Sequence, residues 1–329
     1  MYCRDFSRSS GLCCFLGRAS CPLESGADER RAEPRENARG CVPNRAPAME
    51  DGDGPEEALL TFQLDRYNGV EMQAPASAFA RVEAFARVLA RRIAAWQSEG
   101  KGGLWLKLPT VCAGLAGVAT AQGFCFHHAK PEYVLLTRWL GTAPSPLPKF
   151  AFTQIGVGGV VLNRLGEVLM VQERVSPLPM FQGAWKLPGG LAEPGEDFAE
   201  TAAREVREET GVGSSLIGVV SLRHTHGVRF AQSDIYVVVK LQAETGEAGS
   251  EGRPRITMDP HELSDARWMS RAEIESRVAA DGAPLADMVH ANTWSMIRPA
   301  LEGQLIAATS MTPIRPGAKP SVMYAAPRL

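Results

Sequence analysis

Apolar and polar positions recur with two periods along this chain, and each change of period marks a change of element. LLTFQL, ending at Leu64, reads as a short strand ahead of a DRYNG turn. Phe79, Val82, Phe85, Ala86, Leu89, Ile93 and Trp96 then repeat at helical spacing, with Arg81, Arg87 and Arg91 on other faces. This helix stops before Gly100. GLWLKL predicts a strand, VCAGLAGVATAQG a helix ended by Gly123, and FCFHHA and YVLLTRWL two more strands. The pattern predicts a small α+β domain over 57–148, closed by GTAPSPLPKF, whose prolines favour an extended spacer.

A second unit begins at IGVGGVVLN, which with RLGE as turn and VLMVQERV returning makes a hairpin pattern. AWKLPGG, a helix over about 197–210, the strands LIGVVSLRHTH and SDIYVVVKL, and then ELSDARWMS and RAEIESRVA follow. Strands, helix, strands, helix predict an α+β fold with a mixed sheet over 149–300, in preference to a doubly wound one. Four prolines after Gly303 leave 301–329 mostly irregular.

The first 56 residues break both periods. They are charged and rich in Pro, Gly and Arg, with too little apolar surface to offset the entropy of ordering. Arg4, Arg8 and Arg18 against Asp5 give the start the look of an organelle transit segment, while Met49 offers a second translation start. An intracellular protein is expected, with mitochondrial and cytoplasmic or nuclear placement both open. Cys3, Cys13, Cys14, Cys21 and Cys41 fall in this stretch without paired metal spacing; Cys112 and Cys125 are expected to be buried free thiols.

A net charge of −2 removes the electrostatic argument for duplex DNA or an acidic membrane, and no apolar run is long enough to span a bilayer. Against that neutral background, GGLAEPGEDFAETAAREVREETGV (189–212) carries seven acidic residues. Phe198, Ala199, Ala202, Ala203 and Val206 form one helical stripe facing a core, and Gly211 suits a left-handed cap. Glu205, Glu208 and Glu209, spaced i, i+3, i+4, project from an edge beside it. Arg204 precedes Glu208 by four and can pair with it, yet one arginine does not neutralise three carboxylates; a divalent cation would.

The segment also fits a spaced pattern: Gly190, Glu196, Arg204, Glu205, Val206, Glu208, Glu209, Gly211 and Val212. At average residue usage such a match arises by chance on the order of once per several million chains this long. At these residues the chain resembles the Nudix hydrolases, from about Gln154 to Arg277, with WKLPGG before the box and ARWMSRAEI as closing strand and helix. Upstream, LWLKLP, GFCFHHA and LLTRWL resemble the pre-Nudix domain of plant ADP-ribose/NADH-type members and of a vertebrate member.

The resemblance implies Mg²⁺- or Mn²⁺-dependent hydrolysis of a nucleoside diphosphate linked to another moiety. It implies Glu205, Glu208 and Glu209 as metal ligands with the Gly190 carbonyl as an extra one, and Glu196 and Arg204 as orienting groups. Glu205 or Glu209, or the distal Glu262, is the expected general base. An ADP-ribose- or NADH-like dinucleotide is the expected substrate, with RNA caps, FAD or coenzyme A, or a regulatory RNA- or protein-binding role, as alternatives. A homodimer stays open. Arg174, Lys186, Arg223 and Arg229 are candidate phosphate groups, and Phe230 or Tyr236 a candidate base platform. QSEGKG (97–102) joins a helix to a strand and is read as a helix stop. His127 and His128, adjacent in a strand, should face opposite ways and not share a metal. Trp105, Phe124, Phe126 and Trp139 are expected to form a core or an oligomer interface.

Overall fold

In the computed structural model, which describes residues 56–245, 253–313, 317 and 319–326, the chain divides into two units between Ser145 and Pro146. The disordered or transit segment expected over 1–56, and the five cysteines within it, lie outside the described residues apart from Glu56.

In the first unit, strands β1 (Thr61–Leu64) and β2 (Val70–Gln73) precede helix α1 (Val82–Ser98). Strand β3 (Gly103–Pro109), the short helix α2 (Ala116–Ala121), β4 (Cys125–Lys130) and β5 (Tyr133–Trp139) complete it. The sheet order is β1-β2-β3-β5-β4, parallel only between β2 and β3. The apolar stripe of α1 buries Phe85, Leu89, Ile93 and Trp96 against Leu104, Leu106, Leu108 and Leu136 of the sheet. Each such side chain contributes about 1.5–3 kcal/mol by leaving water.

Three expectations for this unit need correcting. A β-bulge between Phe126 and His128 breaks the alternation of β4, so the two histidines converge, with their Nδ1 atoms 2.7 Å apart. Cys112 is buried, but Cys125 lies on an edge strand and is exposed. The four aromatics do not form one cluster: Phe124 is in the core, Trp105 and Trp139 are half-buried, and Phe126 is exposed.

The second unit contains β6 (Thr153–Leu162), β7 (Val168–Glu173), β8 (Trp185–Lys186), β9 (Gly189–Leu191) and helix α3 (Phe198–Thr210). β10 (Ser214–Thr225), β11 (Ser233–Ala243), β12 (Leu263–Met269), α4 (Arg271–Ser276) and α5 (Ala291–Leu301) follow. The sheet runs β10-β11-β6-β7-β12, with β8 on β7 and β9 on β6; β11 and β6 are parallel and the other pairs antiparallel. Alternation sends Val157, Val161, Val237 and Val239 toward Ala202 and Val206 of α3. Val160 and Val238 face the opposite way, onto Trp185, Ile274 of α4 and Ile297 of α5. The result is a mixed sheet between helices.

Helix α5, with Pro299 inside it, goes beyond the predicted elements. The tail, expected to be mostly irregular, carries an antiparallel hairpin of β13 (Ala307–Met311) and β14 (Ser321–Ala325). Among the described residues no helix is long and apolar enough to cross a membrane.

Candidate active site

Helix α3 begins where its sequence requires. Asp197 is the N-cap, its carboxylate accepting from the backbone of Glu200 while the Glu200 carboxylate accepts from the Asp197 N–H. At the other end Gly211, at φ 71°, supplies the left-handed residue that closes the last turn. Ala202, Val206, Glu209 and Thr210 form the buried stripe, flanked by Phe198.

The three carboxylates therefore occupy different environments rather than one rim. The Glu208 side chain is 60% exposed, the Glu205 side chain 15% exposed, and Glu209 is buried with the core. Burial pushes the Glu205 carboxyl above its ordinary range despite the adjacent Arg204. Burial also pushes Glu209 up to about 7, against the nearby Lys186 charge and a hydrogen bond from the Gly189 N–H at 3.2 Å. The charges of Glu205 and Glu262 add to that rise, which places Glu262 at the same locus.

Beneath the helix runs the turn of β9. Gly189, at φ 152°, passes so close to β6 that a β-carbon there would lie 2.1 Å from the Val157 carbonyl oxygen. At Gly190 a β-carbon would lie 2.5 Å from Glu205 Oε1, so the missing side chain makes room for that carboxylate.

Arg204 organises the upper side. Its Nε and Nη2 donate to the two Glu196 oxygens at 2.7 and 3.0 Å, while Nη1 donates to Glu205 at 2.8 Å and Glu208 at 3.1 Å. Nη2 also reaches the Leu191 carbonyl at 3.1 Å. These bonds hold Glu196 down at about 2 and raise the already basic guanidinium further.

Lys186 joins this group through Glu209 and pairs with Glu173 at 2.6 Å. Arg174, a candidate phosphate group, is engaged with backbone carbonyls. Its Nη2 donates to the Leu263 carbonyl and its Nε to that of Pro260, so it fixes the segment carrying Glu262. Arg223 stands against Asp234, 3.6 Å away, and stacks over Tyr236 at 5.1 Å. Arg229 stacks on Phe230 at a hairpin tip. Glu173 and Thr201, which donates to Glu196 at 2.9 Å, belong to the cluster without having been expected there. For Glu173 the signal was an acid at a strand end beside Arg174 and Lys186; Thr201 gave none.

The donor chemistry, oxygen-bearing carboxylates over a glycine turn, suits a hard divalent cation, and the missing side chain at Gly190 leaves room for the Glu205 carboxylate. The side chains are not yet gathered around one point. Among the described residues no three His, Cys, Asp or Glu side chains are placed to hold one ion, and Arg204 pairs with both Glu205 and Glu208. Arg204 Nη1 occupies one oxygen of each, Glu205 Oε1 and Glu208 Oε2, which leaves each carboxylate its other oxygen.

Two family models match this chain: the Nudix hydrolase domain over 60–140 and the NUDIX domain over 152–289. It is 39% identical to Nudix hydrolase 8 of Arabidopsis thaliana, over 66% of this chain and 57% of that one. It is 42% identical to nucleoside diphosphate-linked moiety X motif 6 of Mus musculus, over 56% of this chain and 60% of the mouse protein. These alignments span less than two thirds of either relative. The human protein of the same name is 39% identical over 67% of this chain and 71% of its own length. A solved NUDIX hydrolase from Nitrosomonas europaea superposes with a TM-score of 0.36 at 16% identity, over 55% of this chain and 89% of that one. Identity at this level across more than two thirds of a relative decides the matter: the chain belongs to the Nudix hydrolases.

Proposed function

We propose that the second unit hydrolyses a nucleoside diphosphate linked to another moiety, with Mg²⁺ or Mn²⁺ held by Glu205, Glu208, Glu209 and the Gly190 carbonyl. One observation carries this reading. Helix α3 lays three carboxylates of graded burial over a glycine turn, with Arg204 paired to two of them and the Lys186 charge near the third. When bound, a divalent cation supplies charge that offsets a diphosphate and eases the deprotonation of water. The chain's own residues do the rest. Glu196 grips Arg204 and fixes the guanidinium. Arg204 sets the distance between Glu205 and Glu208. Glu209, half-protonated near neutral pH before a cation arrives, is poised to accept a proton or to become a ligand. Lys186, paired with Glu173 and close enough to Glu209 to lower its pKa, is the proposed contact for substrate phosphate.

The substrate class is an ADP-ribose- or NADH-like dinucleotide. What supports it is the resemblance of LWLKLP, GFCFHHA and LLTRWL in the first unit to the pre-Nudix domain of plant ADP-ribose/NADH-type members. The test is to incubate residues 49–329 with Mg²⁺ and ADP-ribose, NADH, FAD, coenzyme A or capped RNA and to assay the phosphate-bearing products. AMP released preferentially from ADP-ribose or NADH is expected. Release from capped RNA alone overturns the substrate class, and no cation uptake by calorimetry, with or without nucleotide, overturns the enzyme reading.

A further inference from the structure

The C-terminal hairpin reaches the same helix from outside. Its entry is docked on β10, where Ile306 and Val219 exchange backbone hydrogen bonds at 2.7 and 3.0 Å. Gly218 admits it, since a β-carbon there would lie 2.7 Å from Leu305. At its far end Tyr324 stacks on Phe198, the first residue of α3, with centroids 5.2 Å apart and planes 22° from parallel. Between them Lys319 Nζ donates to the Gly195 carbonyl at 3.0 Å, lies 3.3 Å from Asp197 Oδ2 and bonds the Glu200 carboxylate.

Those contacts bracket Glu196. Gly195 and Asp197 are its chain neighbours, and Asp197 with Glu200 is the capping box that starts the helix. A continuous path runs from Lys319 through Gly195 and Asp197 to Glu196, then to Arg204, and from Arg204 to Glu205 and Glu208.

We propose that the C-terminal hairpin is a strap in which Lys319 and Tyr324 hold the 193–197 turn, and so keep the Glu196–Arg204 pair aligned on the carboxylates. They are positioning residues, remote from any reacting atom. The proposal rests on the carboxylates being the working groups, so its test includes a measurement independent of catalysis. In the full chain, Lys319→Ala and Lys319→Ala/Tyr324→Ala are compared with wild type by amide hydrogen exchange and by Mg²⁺-dependent turnover. Exchange at 193–201 should accelerate about tenfold in the double variant while β6 and β11 keep their protection. Turnover should lose about tenfold in kcat with KM within about twofold, as for outer partners of ligating groups. Lys319→Arg, which keeps the charge, should restore most of it. Unchanged exchange at 193–201 overturns the strap, and so does normal kcat once exchange has risen. If the wild-type chain turns over nothing, the catalytic reading fails, while exchange still decides whether the hairpin holds the turn.

Discussion

Arg204 holds Glu196 with two separate nitrogens, Nε at 2.7 Å and Nη2 at 3.0 Å, and this fork sets the direction of the third nitrogen toward Glu205 and Glu208. Glu196→Gln keeps the shape but removes the charge. We expect kcat to fall roughly 10- to 100-fold while the circular dichroism spectrum stays that of wild type. Arg204→Lys should do no better, because an ammonium cannot reproduce the fork. Wild-type turnover in either variant removes the pair from catalysis.

Glu208→Gln and Glu209→Gln should each abolish metal-dependent turnover. Their effects on folding should differ, because one carboxylate is exposed and the other buried. In chelator, Glu208→Gln should leave stability within about 0.5 kcal/mol, as an exposed change does. Activity retained in both variants defeats the ligand assignment.

Glu209 gives that difference a pH dependence. Its folded value of about 7 lies above the ordinary 4.5, so between these pH values the folded chain holds more protons than the unfolded one. Its contribution is full below 4.5 and is lost as pH rises through 7. Chelated wild type should therefore be less stable than Glu209→Gln by roughly 1–3 kcal/mol at about pH 8 and nearly equal to it at about pH 4.5, by urea unfolding. Glu196 works oppositely: held at about 2, it contributes fully above 4.5 and loses that contribution as pH falls toward 2. A Glu209→Gln difference that does not grow with pH contradicts the buried placement.

Tyr236 lies flat across two glycines of β6, and a β-carbon at Gly158 would sit 1.9 Å from its hydroxyl oxygen. Gly158→Ala should cost about 1–3 kcal/mol by overpacking. Adding Tyr236→Phe should recover part of that loss, giving a double-mutant coupling above about 0.5 kcal/mol in thermal unfolding. Additive effects would show that the ring does not rest on the glycine.

The acidic helix was legible in sequence through its apolar stripe and its terminal glycine, both local signals; the Asp197–Glu200 capping box is equally local and was missed. Periodicity put Glu209 on two faces at once: at i, i+3, i+4 it shares an edge with Glu205 and Glu208, and at i, i+4, i+7 it continues the stripe of Ala202 and Val206. Its charge favoured the edge in the sequence reading, and the packed sheet buries it with the stripe. The histidine pair failed for a related reason: alternation assumes a regular ladder, and the bulge after Phe126 is set by pairing with β5. Arg174 was a basic residue near the box in sequence, yet its partners are carbonyls some 90 positions away, a separation no local pattern encodes. The hairpin over Phe198 was hidden because its two short strands, AATSM and SVMYA, are separated by a stretch punctuated by Pro313, Pro316 and Pro320.

Helix α3 ends at Thr210, so Glu208 and Glu209 lie in its last turn, where the backbone dipole already presents its negative pole. The final carbonyls find donors in the Thr257 and Asp259 amides, at 2.8 and 2.9 Å, and Arg207 is the basic residue of that turn. Acids are thus stationed where a helix least tolerates them. Laboratory evolution for heat resistance alone should discard these acids early, yielding a hardier and inert protein. The fragility is concentrated in the same turn to which the proposed function assigns a divalent cation.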